Sequence, residues 1–345
     1  MLRVGVLCQE TAFAGAALSQ LLRSSGLSNA WEVVFLLNGL RRGAKASDSW
    51  ARSTPCPVPP RAAALSTPLP RPALSEGAAA SADAALCEDC APLRVPGVVE
   101  QALEHDVPTF LTNNVNRSGA LSALKGADLD LIVCFGFDRI FSPKVLSIPR
   151  LGGVNSHPSL LPKLRGPAPL FWTLHDRWPE LWMTLHELTP KLDAGAILDQ
   201  QPFQVLPTAP GKEILAKAGE VAGSMARKLL DRTAERPQEL AGSRMMQRDE
   251  EASSARMPTF QDALVRDPRA WAADDLARFV NGGSIYQAPW MVTRDGVLHM
   301  KRASAVALGD KLPSGSTCVC AGDDTFFVQC GDGVATVHSQ HAAAE

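Results

Sequence analysis

The sequence predicts an α/β protein: a mostly parallel sheet with helices on both faces, followed by a small β-rich, barrel-like domain. Three observations carry this. Short apolar runs alternate with amphipathic helical segments from Leu2 to about Arg232. The run "DLDLIVCFG" at 128–136 is apolar along its whole centre, as a strand buried on both faces requires. After about residue 280 the pattern changes to short β runs punctuated by "NGG", "RDG", "PSGS", "AGDD" and "GDG".

Taken in order, "LRVGVLC" reads as a buried strand. "FAGAALSQLLRSSG" is a helix, with Leu18, Leu21 and Leu22 on one face and Gly26 as its stop, and "WEVVFLL" is a second strand. Strand, helix, strand at this spacing is a βαβ unit. The periodicity then fails. From Ala51 to Val98 there are nine prolines and twelve alanines, too little patterned apolar surface to offset the entropy of ordering, so a mobile surface insertion is expected over 46–96. Order resumes with "GVVEQALEHD" as helix, "VPTFL" as strand, and "RSGALSALKG" as a helix ending at Gly126. "LGGVNSH" is a short strand, and "GPAPLFWTLHD" is a helix with proline in its first turn. "LWMTLHEL" and "AGAILDQQPFQV" are two more strands. The segment from Gly211 to Arg232 is an amphipathic helix burying Ile214, Leu215, Ala218, Val221, Ala222, Met225 and Leu229. The polar stretch 237–260 reads as a linker and "PRAWAADDLARFV" as one helix. The organisation expected is a catalytic domain over 1–236, that linker, and a small C-terminal β-rich domain over 261–345.

Bulk numbers exclude several classes. The 345 residues are 46% hydrophobic and 20% charged, with a formal net charge of -2, so no global basic field advertises nucleic acid. No apolar run reaches the roughly 18 residues of a membrane span, and Gln9 and Glu10 interrupt the first apolar run too early for a signal peptide. A soluble, unsecreted monomer is expected, cytoplasmic or, alternatively, in a mitochondrial or plastid matrix. Of eight cysteines, Cys8 and Cys134 sit in apolar runs, and Cys87 and Cys90 form a lone CxxC without two further ligands at zinc-finger spacing. Free thiols and no metal are the expectation.

The stretch "LGGVNSHPSLLPKLRGPAPL", 151–170, concentrates the chemistry. In a doubly wound sheet, ligands sit beyond the carboxyl ends of the strands. Asn155 and His157 fall at such an end, and residues two apart on a strand point to one face. Imidazole exchanges protons near neutrality, and an uncharged amide can hold the oxygen of a tetrahedral intermediate. Asp193, on the turn "KLDAGAIL" between the last two strands, supplies a carboxylate to orient the histidine. Singly, each has an ordinary structural explanation: a capped strand-end histidine, a turn asparagine, a β-turn aspartate.

Together, "NSHPSLLPKLRG" and an aspartate 36 positions after His157 resemble the folate-dependent formyltransferase family, whose motif is Asn-x-His followed by Ser-Leu-Leu-Pro. The likeness covers roughly Val98 to Leu230. It implies a Rossmann-like catalytic domain and 10-formyltetrahydrofolate as formyl donor, with no metal. By the same resemblance Asn155 binds the developing oxyanion, His157 moves protons from the attacking amine, and Asp193 polarises His157. Ser159, Leu160, Leu161 and Pro162 line the folate site, and "GFDRIFSP", with Phe137, Asp138, Arg139 and Ile140, resembles the loop that hydrogen-bonds the pterin-like ring. The family's acceptors are the amino groups of methionyl-tRNA, glycinamide ribonucleotide or an amino sugar nucleotide. "RGPAP", with Arg165, and the tail "APWMVTRDGVLHMKRASAV" resemble the methionyl-tRNA branch, which implies methionyl-initiator-tRNA as partner. Arg41, Arg42 and Lys45 stand where that branch carries a basic loop for the acceptor stem. An amino sugar nucleotide or other small amine is the alternative acceptor, and a non-catalytic folate-binding homologue is the third reading. Two features depart from the pattern. Trp182 and Met183 stand where the family usually has Gly-Val, and Arg256–Glu345 carries eight Lys or Arg against ten Asp or Glu.

Overall fold

The computed structural model describes residues 1–23, 30–39, 97–112, 114–240, 244–293, 296–306, 312, 316–322 and 324–339. Gly26, the segment 46–96 with Cys87 and Cys90, and the basic residues Arg41, Arg42 and Lys45 lie outside the described residues.

The chain begins with β1 (Leu2–Gln9), α1 (Ala12–Leu22) and β2 (Trp31–Gly39). Thr11 starts α1 by accepting a hydrogen bond from the Ala14 N–H at 3.1 Å, satisfying a donor that the first turn leaves free. Then come α2 (Val98–Glu104), β3 (Thr109–Thr112), α3 (Ser118–Gly126), β4 (Leu131–Phe135), α4 (Pro143–Leu146) and β5 (Gly153–His157). The domain closes with α5 (Pro169–His175), β6 (Leu181–Glu187), β7 (Ile197–Phe203) and α6 (Gly211–Glu235). The strand order is β3-β2-β1-β4-β5-β6-β7. Pairing is parallel from β3 to β5, while β6 runs antiparallel to both β5 and β7.

Strand alternation divides the core in two. Val4, Val6, Cys8, Val133, Phe135 and Val154 pack on one face, under α1 and α6. Leu7, Ile132 and Cys134 pack on the other with Leu124 of α3 and Val145 of α4. The α1–α6 contact is close because α6 presents glycines there. A Cβ on Gly219 would stand 2.1 Å from the Phe13 carbonyl oxygen, and one on Gly223 2.3 Å from that of Ala17. Of the α6 positions expected to be buried, Leu215 is only half-buried and the rest are enclosed.

The C-terminal part holds α7 (Ala273–Gly283) and the strands β8 (Trp290–Thr293), β9 (Gly296–Val306), β10 (Cys318–Gly322), β11 (Thr325–Gln329) and β12 (Val334–Ser339). They form an antiparallel sheet in the order β10-β11-β12-β9-β8. Phe279 of α7 meets Phe171 of α5 at 5.5 Å between ring centroids, so the two parts share one apolar cluster. The single helix read from "PRAWAADDLARFV" is two elements, a 3-10 turn at Pro268–Ala270 and then α7. Trp271 breaks it: its backbone is extended, its carbonyl accepts from Gly331 N–H, and its ring stacks on Phe279 at 5.2 Å. Tertiary packing here outweighs local helix preference.

Candidate active site

The register assembles the site. Leu7 of β1 pairs with Cys134 of β4, Cys134 with Asn155 of β5, and Asn155 with His186 of β6. One pair further on, His157 faces Thr184, and Thr184 faces Gln200 of β7. Paired residues share a sheet face, so Asn155, His157, Thr184, His186 and Gln200 form a polar stripe at the carboxyl end of β5. His157 and His186 are buried, and Asn155 is half-buried and open to a ligand.

Hydrogen bonds fix the two imidazoles. His186 Nδ1 lies 2.9 Å from the Glu187 carbonyl oxygen. A carbonyl only accepts, so Nδ1 carries the proton and Nε2 is left to accept. Its partner is Asn155 Nδ2 at 3.1 Å. His186 thereby takes one of the two amide N–H groups of Asn155 and sets the plane of the other. His157 Nε2 lies 2.9 Å from the Leu164 carbonyl oxygen, which by the same argument makes Nε2 the donor and turns Nδ1 toward Asp193.

The turn between β6 and β7 delivers Asp193 between these rings. Its Oδ2 lies 3.7 Å from His157 Nδ1 and its Oδ1 3.6 Å from His186 Nε2, while Oδ2 accepts from the Gly166 N–H at 2.9 Å. Burial works to raise the Asp193 carboxyl; the facing imidazoles of His157 and His186 and the Gly166 N–H outweigh it and bring it down to about 2. Burial is also the largest influence on His157 and pulls its pKa below the usual histidine range, against the opposing pull of Asp193 and Leu164. The resting site is an ionised carboxylate beside a neutral, enclosed imidazole. The turn has no slack: a Cβ on Gly195 would lie 1.9 Å from the Glu187 carbonyl oxygen. Gly195→Ala is therefore expected to cost about 1–3 kcal/mol, as overpacking does, read as a lower urea midpoint at unchanged slope.

The Ser-Leu-Leu-Pro loop is clasped from below. Thr184 Oγ1 donates to the Ser159 carbonyl at 2.6 Å, Gln200 Nε2 donates to the Leu161 carbonyl at 2.9 Å, and Ser159 Oγ donates to the Lys163 carbonyl at 2.9 Å. The polar stretch read as a linker lies across the next part of the loop. Leu164 N–H donates to Ser253 Oγ, Arg165 N–H to the Ser253 carbonyl, and Ala255 N–H to the Arg165 carbonyl. Gly166, at φ +126°, has no room for a side chain because a Cβ would meet the Ala255 carbonyl oxygen at 2.8 Å. Gln247 Nε2 donates to the Asp193 and Gly195 carbonyls at 2.9 and 2.7 Å, so this segment also pins the turn that holds the carboxylate. Beside Gly166 a cavity of about 530 Å³ opens, lined in part by Arg165, Pro167, Leu192, Ser253 and Met257.

The other expected residues fall in different surroundings. Phe137, Asp138, Arg139 and Ile140 follow β4 at the same sheet edge. Phe137 stacks on Phe141 at 5.6 Å, Arg139 pairs with Asp138 at 3.4 Å, and Asn116 holds the Ile140 carbonyl at 2.9 Å while the Ile140 side chain stays exposed. Leu161 is enclosed, whereas Leu160 and Pro162 are partly open. The Arg165 guanidinium is engaged by Gln247 Oε1 and Asp249 Oδ1 rather than projecting free. Trp182 lies on the site face of β6 and is partly buried, opposite Pro202 of β7. Sequence reading missed His186, Gln200, Gln247 and Ser253. Among the described residues, no group of three or more His, Cys, Asp or Glu is arranged to hold a metal ion, and no helix is long and apolar enough to cross a membrane.

Residues 84–229 match the family model described as formyl transferase. Over 110 residues, 32% of this chain and 35% of the other, the sequence is 36% identical to a methionyl-tRNA formyltransferase of Staphylococcus aureus (strain JH1). Over 108 residues, 31% of this chain and 16% of the other, it is 38% identical to the bifunctional polymyxin resistance protein ArnA of Wigglesworthia glossinidia brevipalpis. The chain thus spans about a third or less of the length of these curated relatives. Among solved structures, WlaRD, a sugar 3N-formyl transferase crystallised with dTDP and 5-N-formyl-THF, superposes over 100% of this chain and 99% of that one. Its TM-score is 0.56 at 13% identity, a likeness of fold. Asn155, His157 and Asp193 all fall within the segment that matches the formyl transferase model.

Proposed function

We propose that this chain is a folate-dependent formyltransferase that moves the formyl group of 10-formyltetrahydrofolate to the amino group of an acceptor, and that the acceptor is methionyl-initiator-tRNA. One observation carries the chemistry: an amide, an imidazole and an ionised carboxylate meet at the carboxyl end of β5, under a clasped loop. In this reading the acceptor amine attacks the formyl carbon and the formyl oxygen becomes an oxyanion. The Asn155 N–H not used by His186 points its hydrogen at that oxygen. The amine gives up a proton, the carbon–N10 bond breaks, and N10 receives a proton, so that the products are the N-formyl amine and tetrahydrofolate. His157, neutral because it is buried, relays that proton, and Asp193 stabilises the imidazolium that forms in passing. The separation of 3.7 Å between His157 and Asp193 is longer than a hydrogen bond; such contacts tighten when substrate fills the site. Ser159–Pro162 and the 137–140 loop border the folate.

The tRNA assignment is supported by the 36% identity to a methionyl-tRNA formyltransferase and by the C-terminal sheet that follows the catalytic part. A second reading, an amino sugar nucleotide as acceptor, is favoured by charge. The segment 256–345 carries fewer basic than acidic residues, and an RNA-binding domain normally shows a basic face. Formyl transfer measured against a panel of charged initiator tRNA and amino sugar nucleotides decides between them. Turnover with tRNA, falling steeply as salt rises because phosphate contacts release counterions, is the expected outcome. Turnover with a sugar alone moves the assignment to the second reading. No turnover with any amine, while a stable folate analogue still binds, leaves a folate-binding homologue.

A further inference from the structure

Gln9 ends β1 and is buried, only 9% exposed. Its Nε2 has no hydrogen-bond partner among the described residues. A buried amide donor left without a partner is destabilising, which makes an unpaired one at a binding edge a mark of a ligand group. The neighbouring polar residues are employed in structure: Glu10 Oε1 accepts from Val98 N–H, and Thr11 caps α1.

Position supplies the second argument. The sheet order reverses between β1 and β4, and ligands of doubly wound sheets lie in the crevice at that point. Gln9 has the parity of Leu7, which pairs through Cys134 with Asn155, so Gln9 is on the sheet face of Asn155 and His157. It stands two strands from His157, about 10 Å at the usual strand spacing. One step beyond the Cys8–Phe135 pair, the residue between them is Gly136, exposed and without a side chain. On the opposite side of Asn155 the stripe is filled by His186 and Gln200.

We infer that Gln9 is a specificity-determining residue whose Nε2–H donates to an oxygen, carbonyl or hydroxyl, carried by the amine substrate about 10 Å from its reacting nitrogen. This rests on the formyltransferase reading. The experiment compares wild type with Gln9→Leu and Gln9→Glu, both of which remove the donor. Each variant is expected to raise KM for the amine about tenfold, the worth of one hydrogen bond. KM for 10-formyltetrahydrofolate and kcat should stay within about twofold of wild type. Gln9→Leu should also melt no lower than wild type, since it removes an unpaired buried donor. An unchanged amine KM overturns the inference. So does a rise in folate KM alone, which assigns Gln9 to the donor, or a lower melting temperature in Gln9→Leu, which makes its role structural. A wild-type protein that turns over no amine instead overturns the formyltransferase reading, a result independent of the variants' melting.

Discussion

His157→Ala is expected to slow formyl transfer by about 10²- to 10⁴-fold, the range that general acid–base catalysis spans. In the proposed mechanism the residue sits where a proton must travel: at the end of β5, two residues from Asn155, with Nδ1 turned toward the ionised Asp193. A variant that keeps near wild-type kcat removes His157 from the chemistry. The pH profile gives an independent reading. Burial holds the imidazole below its ordinary pKa, so the acid limb of kcat/KM should fall below about 6.5, the value of a free histidine. Asp193→Asn takes away the nearest charge favouring imidazolium and should move that limb to still lower pH while reducing kcat. A limb that stays in place means Asp193 does not act on His157. Stability follows the same shifts with definite sign. Both folded pKa values are depressed, so protonation favours the unfolded chain. The His157 contribution is present above about 6.5 and is lost as pH falls below it. The Asp193 contribution is present above the ordinary aspartate value and is lost as pH falls toward about 2.

The parts of this site that were legible in the sequence are local ones. Alternation of two gave the strands, and the spacing of Asn155 and His157 put them on one face because a strand allows nothing else. The chain-reversing turn placed Asp193 within reach because β6 and β7 are adjacent in sequence and in space. What sequence reading did not show is long-range. His186 meets Asn155 only through antiparallel pairing of β5 with β6, 31 positions apart. A trace existed, since Thr184 and His186 are alternate polar residues in the otherwise apolar "LWMTLHEL", which argues that one face of that strand is not plain core. Gln247 and Ser253 left no trace, because a polar segment that wraps a loop has the composition of one that merely connects. Gln9 was legible only as a polar residue closing an apolar run; its missing partner is a property of the folded chain.

Asn155→Ala should cost about 10²- to 10³-fold in kcat, as losing one oxyanion donor does, with KM for both substrates little changed. In the proposed mechanism that kinetic split follows from timing: the amide would meet full negative charge only after the amine has attacked, so its loss would be felt in the transition state and not in binding. Folding should survive. Asn155 is half-buried, and its only side-chain hydrogen bond among the described residues is to His186. His186 provides the control that separates an oriented donor from a merely present one. With Nδ1–H committed to the Glu187 carbonyl, its Nε2 lone pair fixes which amide hydrogen faces outward. His186→Phe keeps the ring but removes that acceptor, freeing the amide to rotate, and should lower kcat by a smaller factor than Asn155→Ala. In the double variant the two losses should not multiply, because an amide that is absent cannot be misdirected. Multiplicative losses would mean that His186 acts by a separate route. Near-normal turnover in Asn155→Ala would mean that the formyl oxygen is held elsewhere, and the site would then have to be rebuilt around a different donor.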